Sequence, residues 1–343
     1  MRVVDMHCDT ISALLKKKRA GETVGLKAND CHIDICKMRK GNYLLQNFAL
    51  FVELGECADP WQEVQELAGL YKKEMAKNRE DIAPVLSYDD IEKNCSEGKL
   101  SAMLTVEEGG VCGGDLEKLR TLYEQGVRMM TLTWNYPNEL GYPNLDREQG
   151  KKLKAAKETG GSSILNYLNT PNRKDGLTET GIIFVQEMEK LGMIVDVSHL
   201  SDAGFYDVLA NTEKPFVASH SNAREVCPCV RNLSDDMIRR LAERGGVTGL
   251  NFCADFLTQV PAGVQNPGTI AAVVDHARHI VSVGGMECLG LGSDFDGIDT
   301  HAELPGADRM ERLADALKKG GFTEGQLEKI LGGNVLRVYR EVL

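Results

Sequence analysis

Short β-branched apolar runs alternate along the chain with longer segments whose apolar positions recur at helical spacing. Eight such runs stand out: Val3–Met6, Asn47–Val52, Ala102–Val106, Met129–Thr133, Ile194–Val197, Phe216–Ser219, Val247–Asn251 and Leu289–Ser293. Runs of this length read as buried strands, and their alternation with amphipathic segments predicts βα units around a parallel sheet. Between them, Asp115–Glu124 carries Leu116, Leu119, Leu122 and Tyr123 at helical spacing and is closed by Gly126. Thr178–Leu191 ends at Gly192, and Trp61–Asn78 forms a longer helix in an extended connection between strands two and three. Ser201 and Ser234 stand where N-caps belong, and Thr323 with Gln326 forms a capping box for the final helix. Eight strands is the number a closed barrel requires. The expected fold is therefore α/β, a (β/α)8 TIM-type barrel with extended loops and a C-terminal helix. No linker composition divides the chain, so residues 1–343 are expected to form one barrel domain. Residues Trp134 to Asp175, rich in Pro, Gly, Asn and Lys, read as a long loop after strand four, of the kind that serves as a lid or binding loop.

Composition narrows the function classes. The 343 residues fit a barrel with insertions, and a net charge of −11 argues against binding a phosphate backbone. The short basic run Lys16-Lys17-Lys18-Arg19 reads as a solvated helix end. No apolar run approaches the roughly 18 residues of a membrane-spanning helix. Acidic Asp5 directly follows Val3-Val4, unlike a signal peptide, so a cytoplasmic protein without a membrane partner is expected. The ten cysteines are scattered, as befits free thiols in a reducing compartment. The one tight pair, Cys227-Pro228-Cys229, lacks the second pair of a structural zinc site.

The strand ends carry the chemistry. His7 and Asp9 follow strand one at period two, Glu107 and Glu108 follow strand three before Gly109-Gly110, His199 follows strand five, His220 strand six, and Asp294 and Asp296 strand eight. In such a barrel the C-terminal strand ends converge on one mouth, where active sites are built. Imidazole and carboxylate donors suit zinc, and five protein ligands are too many for one open tetrahedral ion. They fit two ions about 3.5 to 4 Å apart sharing one carboxylate, with Glu108 expected as that bridge. Such a pair acidifies a bridging water to hydroxide and polarises a carbonyl. His32, His276, His279 and His301 end no predicted strand and are expected in surface or packing roles.

At these residues the sequence resembles the membrane dipeptidase (renal dipeptidase) family, peptidase family M19 of the amidohydrolase superfamily. The resemblance spans the chain through Val4-Asp5-Met6-His7-Cys8-Asp9, Glu108-Gly109-Gly110, Thr131-Leu132-Thr133, Val195-Asp196-Val197-Ser198-His199, Ser219-His220-Ser221, Arg231-Asn232, Gly292-Ser293-Asp294-Phe295-Asp296-Gly297 and Gly333-Asn334-Val335-Leu336-Arg337-Val338. It implies a zinc-dependent dipeptidase with two Zn2+ per chain, other divalent transition ions also accepting these ligands. His7 and Asp9 would hold one ion, His199 and His220 the other, and Glu108 would bridge them. Asp294 would act as general base and then acid. Arg231 would pair with the terminal carboxylate of the substrate. The resemblance further implies tolerance of a D-residue at the C-terminal position, and it is consistent with a homodimer. One departure stands out: many members read Leu-Thr-His after strand four, where this chain reads Leu132-Thr133-Trp134-Asn135. The missing histidine is the family's donor to the substrate carbonyl. The alternative expectation therefore keeps the two-metal site and changes the bond, to an N-acyl amino acid, a lactone or a cyclic amide. A catalytically silent metal-binding scaffold is the remaining class.

Overall fold

The computed structural model describes residues 1–147, 169–261, 264, 266–299 and 303–343. Nine parallel strands form one sheet: β1 Val3–Asp5, β2 Tyr43–Phe51, β3 Ile82–Val85, β4 Leu100–Glu107, β5 Val127–Thr131, β6 Ile194–Asp196, β7 Val217–Ala218, β8 Val247–Leu250 and β9 Leu289–Leu291. The order β2-β1-β9-β8-β7-β6-β5-β4 is closed by pairing of β2 with β4, so eight strands make the expected barrel. The ninth strand, β3, was not anticipated. It pairs with β4 over Leu100–Met103, and β5 takes over that edge from Leu104 to Glu107. Pro84 and a length of four residues hide it in the sequence.

Alternation along the strands sorts two cores. Val4, Met6, Met103, Met129, Ile194, Val217 and Val247 fill the barrel interior, where Val335, Val338, Tyr339 and Val342 of the C-terminal helix Asn334–Val342 join them. The outward positions, among them Leu104, Val106 and Val195, pack under the surrounding helices. Buried polar residues of β2 are tied into this floor, with Asn47 Nδ2 donating to Tyr339 Oη at 2.7 Å. The polar pair Gln46-Asn47 interrupts the apolar pattern, so the expected strand begins at Asn47 whereas β2 begins at Tyr43.

The helix boundaries follow their caps. Asp115, Thr178, Ser201, Ser234 and Thr323 each accept a backbone N–H of the first turn through the side chain, and Thr323 with Gln326 completes the capping box. The basic run ends the helix Thr10–Arg19, with Lys17 paired to Glu22 and Asp30, Lys18 to Glu74, and Arg19 to Glu63 and Glu66. All ten cysteines are free thiols. Among the described residues no helix is long and apolar enough to cross a membrane.

Candidate metal centre

His7, Asp9, Glu107, His199, His220 and Asp294 meet, buried, at the C-terminal mouth of the barrel. Glu107 lies at their centre. Its Oε2 is 3.4 Å from His7 Nε2, and its Oε1 is 3.0 Å from His199 Nε2 and 3.5 Å from His220 Nε2. His7 Nε2 also lies 3.3 Å from Asp9 Oδ2 and 3.9 Å from Asp294 Oδ1. The carboxylate thus presents one oxygen to each of two groups of ligand-type side chains.

The expectation for Glu108 is corrected here: the residue between the histidines is Glu107. Side chains alternate along β4, so Met103, Thr105 and Glu107 share the inward face while Leu104 and Val106 point to the helices. At Glu108 the chain turns into the left-handed region (φ 96°) and leaves the strand. Its carboxylate accepts N–H bonds from Gly110 (2.8 Å) and Trp134 (3.0 Å), and also from the Asn138 side chain. Burial pushes the Glu108 carboxyl up to about 7. Its work is to anchor the loop after β5.

Each histidine of the Glu107 Oε1 side has a fixed tautomer. His220 Nδ1 lies 2.7 Å from Ser219 Oγ, whose own hydrogen goes to Asp196 Oδ2 at 2.5 Å. A carboxylate only accepts, so Nδ1 of His220 must donate and Nε2 carries the lone pair. His199 Nδ1 lies 3.0 Å from Asn135 Oδ1, an acceptor, with the same consequence. The two Nε2 atoms face each other at 3.0 Å with Glu107 Oε1 beside both. A hydrogen between them would need a doubly protonated ring, yet burial holds His220 well below the usual histidine range and His199 down at about 4. Three lone pairs converging in a buried site call for a cation. On the other side, His7 Nε2 and Asp9 Oδ1 have no hydrogen-bond partner. Burial opposes a charge on His7, but the carboxylates of Glu107 and Asp9 outweigh it and hold His7 well above its ordinary value. The donor set therefore fits two divalent ions.

Backbone strain concentrates at this mouth. Of the five non-glycine residues with positive φ among the described residues, Glu108, His199, Asp294 and Asp296 belong to it. Two carboxylates that sequence reasoning passed over brace it. Asp5 accepts from His7 N (3.2 Å), Ser293 N (2.9 Å) and Ser293 Oγ (2.6 Å). Asp196 accepts from Ser198 N (3.0 Å), Ser219 N (2.8 Å) and Thr131 Oγ1 (2.6 Å), besides Ser219 Oγ. The available signal was a carboxylate at the end of a buried strand, two or three residues before a candidate histidine.

Asp294 Oδ2 accepts from Asn251 Nδ2 at 2.9 Å, and burial, then the nearby Asp9 and Glu107 carboxylates, push its carboxyl up to about 7 against the pull of His7. Asp296 borders the cavity over the centre and accepts from Thr10 Oγ1 and His32 N, both at 2.6 Å. Arg231 is buried, its Nη atoms make only 3.5 Å contacts to Ser221 Oγ and His220 O, and its Nε has no partner. A cavity of about 690 Å³ opens over the centre, walled by Phe51, Trp134, Leu145 and Phe256 and bounded by Arg231, Asp294 and His199. Lys16 and Lys17 stand at its rim, so the basic helix end borders the site. The described start of the long loop supplies Trp134, Asn135 and Leu145 to this wall, while residues 148–168 lie outside the described residues, as does His301. Of the other histidines, His276 is fully buried in a packing role, and His279 pairs with Asp235 at 2.6 Å.

Comparison with known proteins agrees with this architecture. The chain matches the membrane dipeptidase family (peptidase family M19) over residues 1–343. An uncharacterized dipeptidase of Schizosaccharomyces pombe is 33% identical over 90% of this chain and 72% of its own. The crystal structure of a dipeptidase of family M19 superimposes with a TM-score of 0.86 at 25% identity, over 100% of this chain and 98% of that one. A metallopeptidase from Rhodobacter sphaeroides, solved with a phosphinate mimic of L-Ala-D-Ala, has the same fold with a TM-score of 0.86 at 24% identity, covering 100% and 99% of the two chains. A (β/α)8 barrel whose mouth gathers three histidines around one glutamate, in a chain matched from end to end, belongs to the membrane dipeptidase family of metal-dependent enzymes that hydrolyse peptide bonds.

Proposed function

We propose that this chain hydrolyses dipeptides to free amino acids with two divalent ions, zinc suiting the donor set best. His7 and Asp9 would hold one, His199 and His220 the other, with one Glu107 oxygen turned to each. The observation that carries this reading is the pair of lone-pair-bearing Nε2 atoms 3.0 Å apart beside Glu107 Oε1. When bound, the ions supply a Lewis acid for the substrate carbonyl and acidify a water for attack.

The chain's own residues do the rest. Arg231, with an unpartnered Nε and loosely held Nη atoms, offers its planar fork to the substrate's terminal carboxylate. Asp294, oriented by Asn251, stands next to His7 and the cavity, placed to take a proton from the attacking water and return it to the leaving amine. The apolar wall keeps bulk water from the reacting bond. The family resemblance supports extending the substrates to L-Xaa-D-Xaa pairs, and ten free thiols suit a reducing, cytoplasmic setting.

The test is to load metal-free protein with Zn2+ and offer L-L and L-D dipeptides. Amino-acid release detected with ninhydrin is expected, and no release from any of them overturns the reading. Replacing Arg231 with Met should raise KM for these substrates, and an unchanged KM removes Arg231 from carboxylate recognition. The wall of Phe51, Trp134 and Leu145 favours one second reading, in which an acyl group lies there and the substrate is an N-acyl amino acid. Turnover of N-acyl amino acids far above that of dipeptides would establish it.

A further inference from the structure

Asn135 follows directly on Trp134 and lines the cavity beside His199. Its amide is planar, with an acceptor at one corner and two hydrogens at the other. The acceptor corner is taken by His199 Nδ1 at 3.0 Å. The donor corner, Nδ2, has no hydrogen-bond partner among the described residues. Its backbone is fixed independently of the side chain. Arg147 N donates to Asn135 O at 2.7 Å, and Arg147 lies 3.2 Å from Glu53 Oε1 and over the Trp134 ring at 5.3 Å. Glu108 holds the same segment from beneath through Trp134 N and Asn138 Nδ2.

We propose that Asn135 positions the second metal ion through its ligand, its Oδ1 holding the His199 ring in the tautomer and orientation that turn Nε2 to the ion. This rests on the two-metal dipeptidase reading above. The role follows from the tautomer, because an acceptor at Nδ1 is what leaves the Nε2 lone pair turned to Glu107. His220 obtains the same from Ser219 and Asp196, so each histidine has its own orienting partner. Losing a partner of this kind costs about 10- to 100-fold in metal affinity. Asn135 is thus a positioning residue for the metal, acting through His199.

Two substitutions test the role. Asn135→Leu removes the acceptor, whereas the isosteric Asn135→Asp keeps one for His199. The full chain is stripped of metal and titrated with Zn2+ against a chromophoric chelator. Wild type should bind two ions. N135L should bind one as wild type does and the second roughly 10- to 100-fold more weakly. N135D should bind both with at least wild-type affinity. Unchanged second-ion affinity in N135L, or a second ion lost equally in N135D, overturns the positioning role. A wild type that binds one ion, unmoved by His199→Ala, overturns the two-metal reading itself and this inference with it.

Discussion

Two adjacent glutamates, Glu107 and Glu108, show how far residue-level chemistry depends on direction. Glu107→Gln would turn an amide N–H toward imidazole lone pairs and remove the one charge shared by both sides of the centre. Metal analysis should find both ions lost or weakened by at least about 100-fold, and activity lost with them. Glu108→Gln should retain both ions. It exchanges an acceptor oxygen for a donor that faces the N–H of Gly110 or Trp134, costing about 1–3 kcal/mol of stability, readable as a lower urea midpoint. Equal metal loss in the two variants would contradict the geometry. The side chains that meet at the mouth were legible in the sequence except at this pair. The motif Glu108-Gly109-Gly110 drew attention to the wrong carboxylate, whereas the alternation Met103, Thr105, Glu107 was the decisive pattern. Asn135 and Asn251 were less accessible, because an amide's role depends on which imidazole or carboxylate it meets across the barrel.

At the scale of elements, the apolar runs found all eight barrel strands because each is almost wholly buried. They missed β3, a short strand carrying Pro84, and the start of β2, which the buried polar pair Gln46-Asn47 separates from the apolar run that follows. Close approach of β7 and β9 could not be read either, since it appears only as a glycine. A Cβ on Gly292 would stand 1.7 Å from Ser219 O and 3.1 Å from His220 Cα. Gly292→Ala should therefore cost about 3 kcal/mol or more and displace His220, lowering Tm and second-ion affinity together. Retention of both would show that the strands part freely. The helix Ile270–Gly284 makes a second prediction through His276, whose Nδ1 accepts from Ala223 N at 3.1 Å and whose Nε2 donates to Leu257 O at 3.0 Å. Burial holds its pKa below the usual 6.5, so the ring is neutral in the fold. As pH falls below 6.5 the unfolded chain takes up the proton first, so this contribution is full above 6.5 and declines toward the lower, folded pKa. The slope is at most about 1.4 kcal/mol per pH unit. Urea midpoints between pH 7.5 and 5.5 should fall more steeply for wild type than for His276→Gln, and parallel curves would refute the linkage.

For the whole molecule, the metal centre is also a fastening of the barrel. Its side chains come from the ends of β1, β4, β6, β7 and β9, five strands far apart in sequence, gathered at one point. Without cations the carboxylates of Asp9, Glu107 and Asp294 converge in a buried mouth, balanced only by a charged His7 and by Arg231. Binding to the folded chain alone stabilises it by RT ln(1 + [M]/Kd), about 2.7 kcal/mol for one site at a free ion concentration 100-fold above Kd. In a chain this large roughly 2 °C of Tm accompanies each kcal/mol, so each such site should contribute about 5 °C. Stripping the protein with chelator should lower Tm accordingly, and adding Zn2+ back should raise it progressively with concentration and without a plateau at stoichiometry. The same titration on Glu107→Gln should be nearly flat, because the shared ligand is gone while the fold remains. A wild-type Tm indifferent to chelator would mean that the strand ends hold their places without any ion, and that the opposed imidazoles of His199 and His220 are kept apart by the barrel alone.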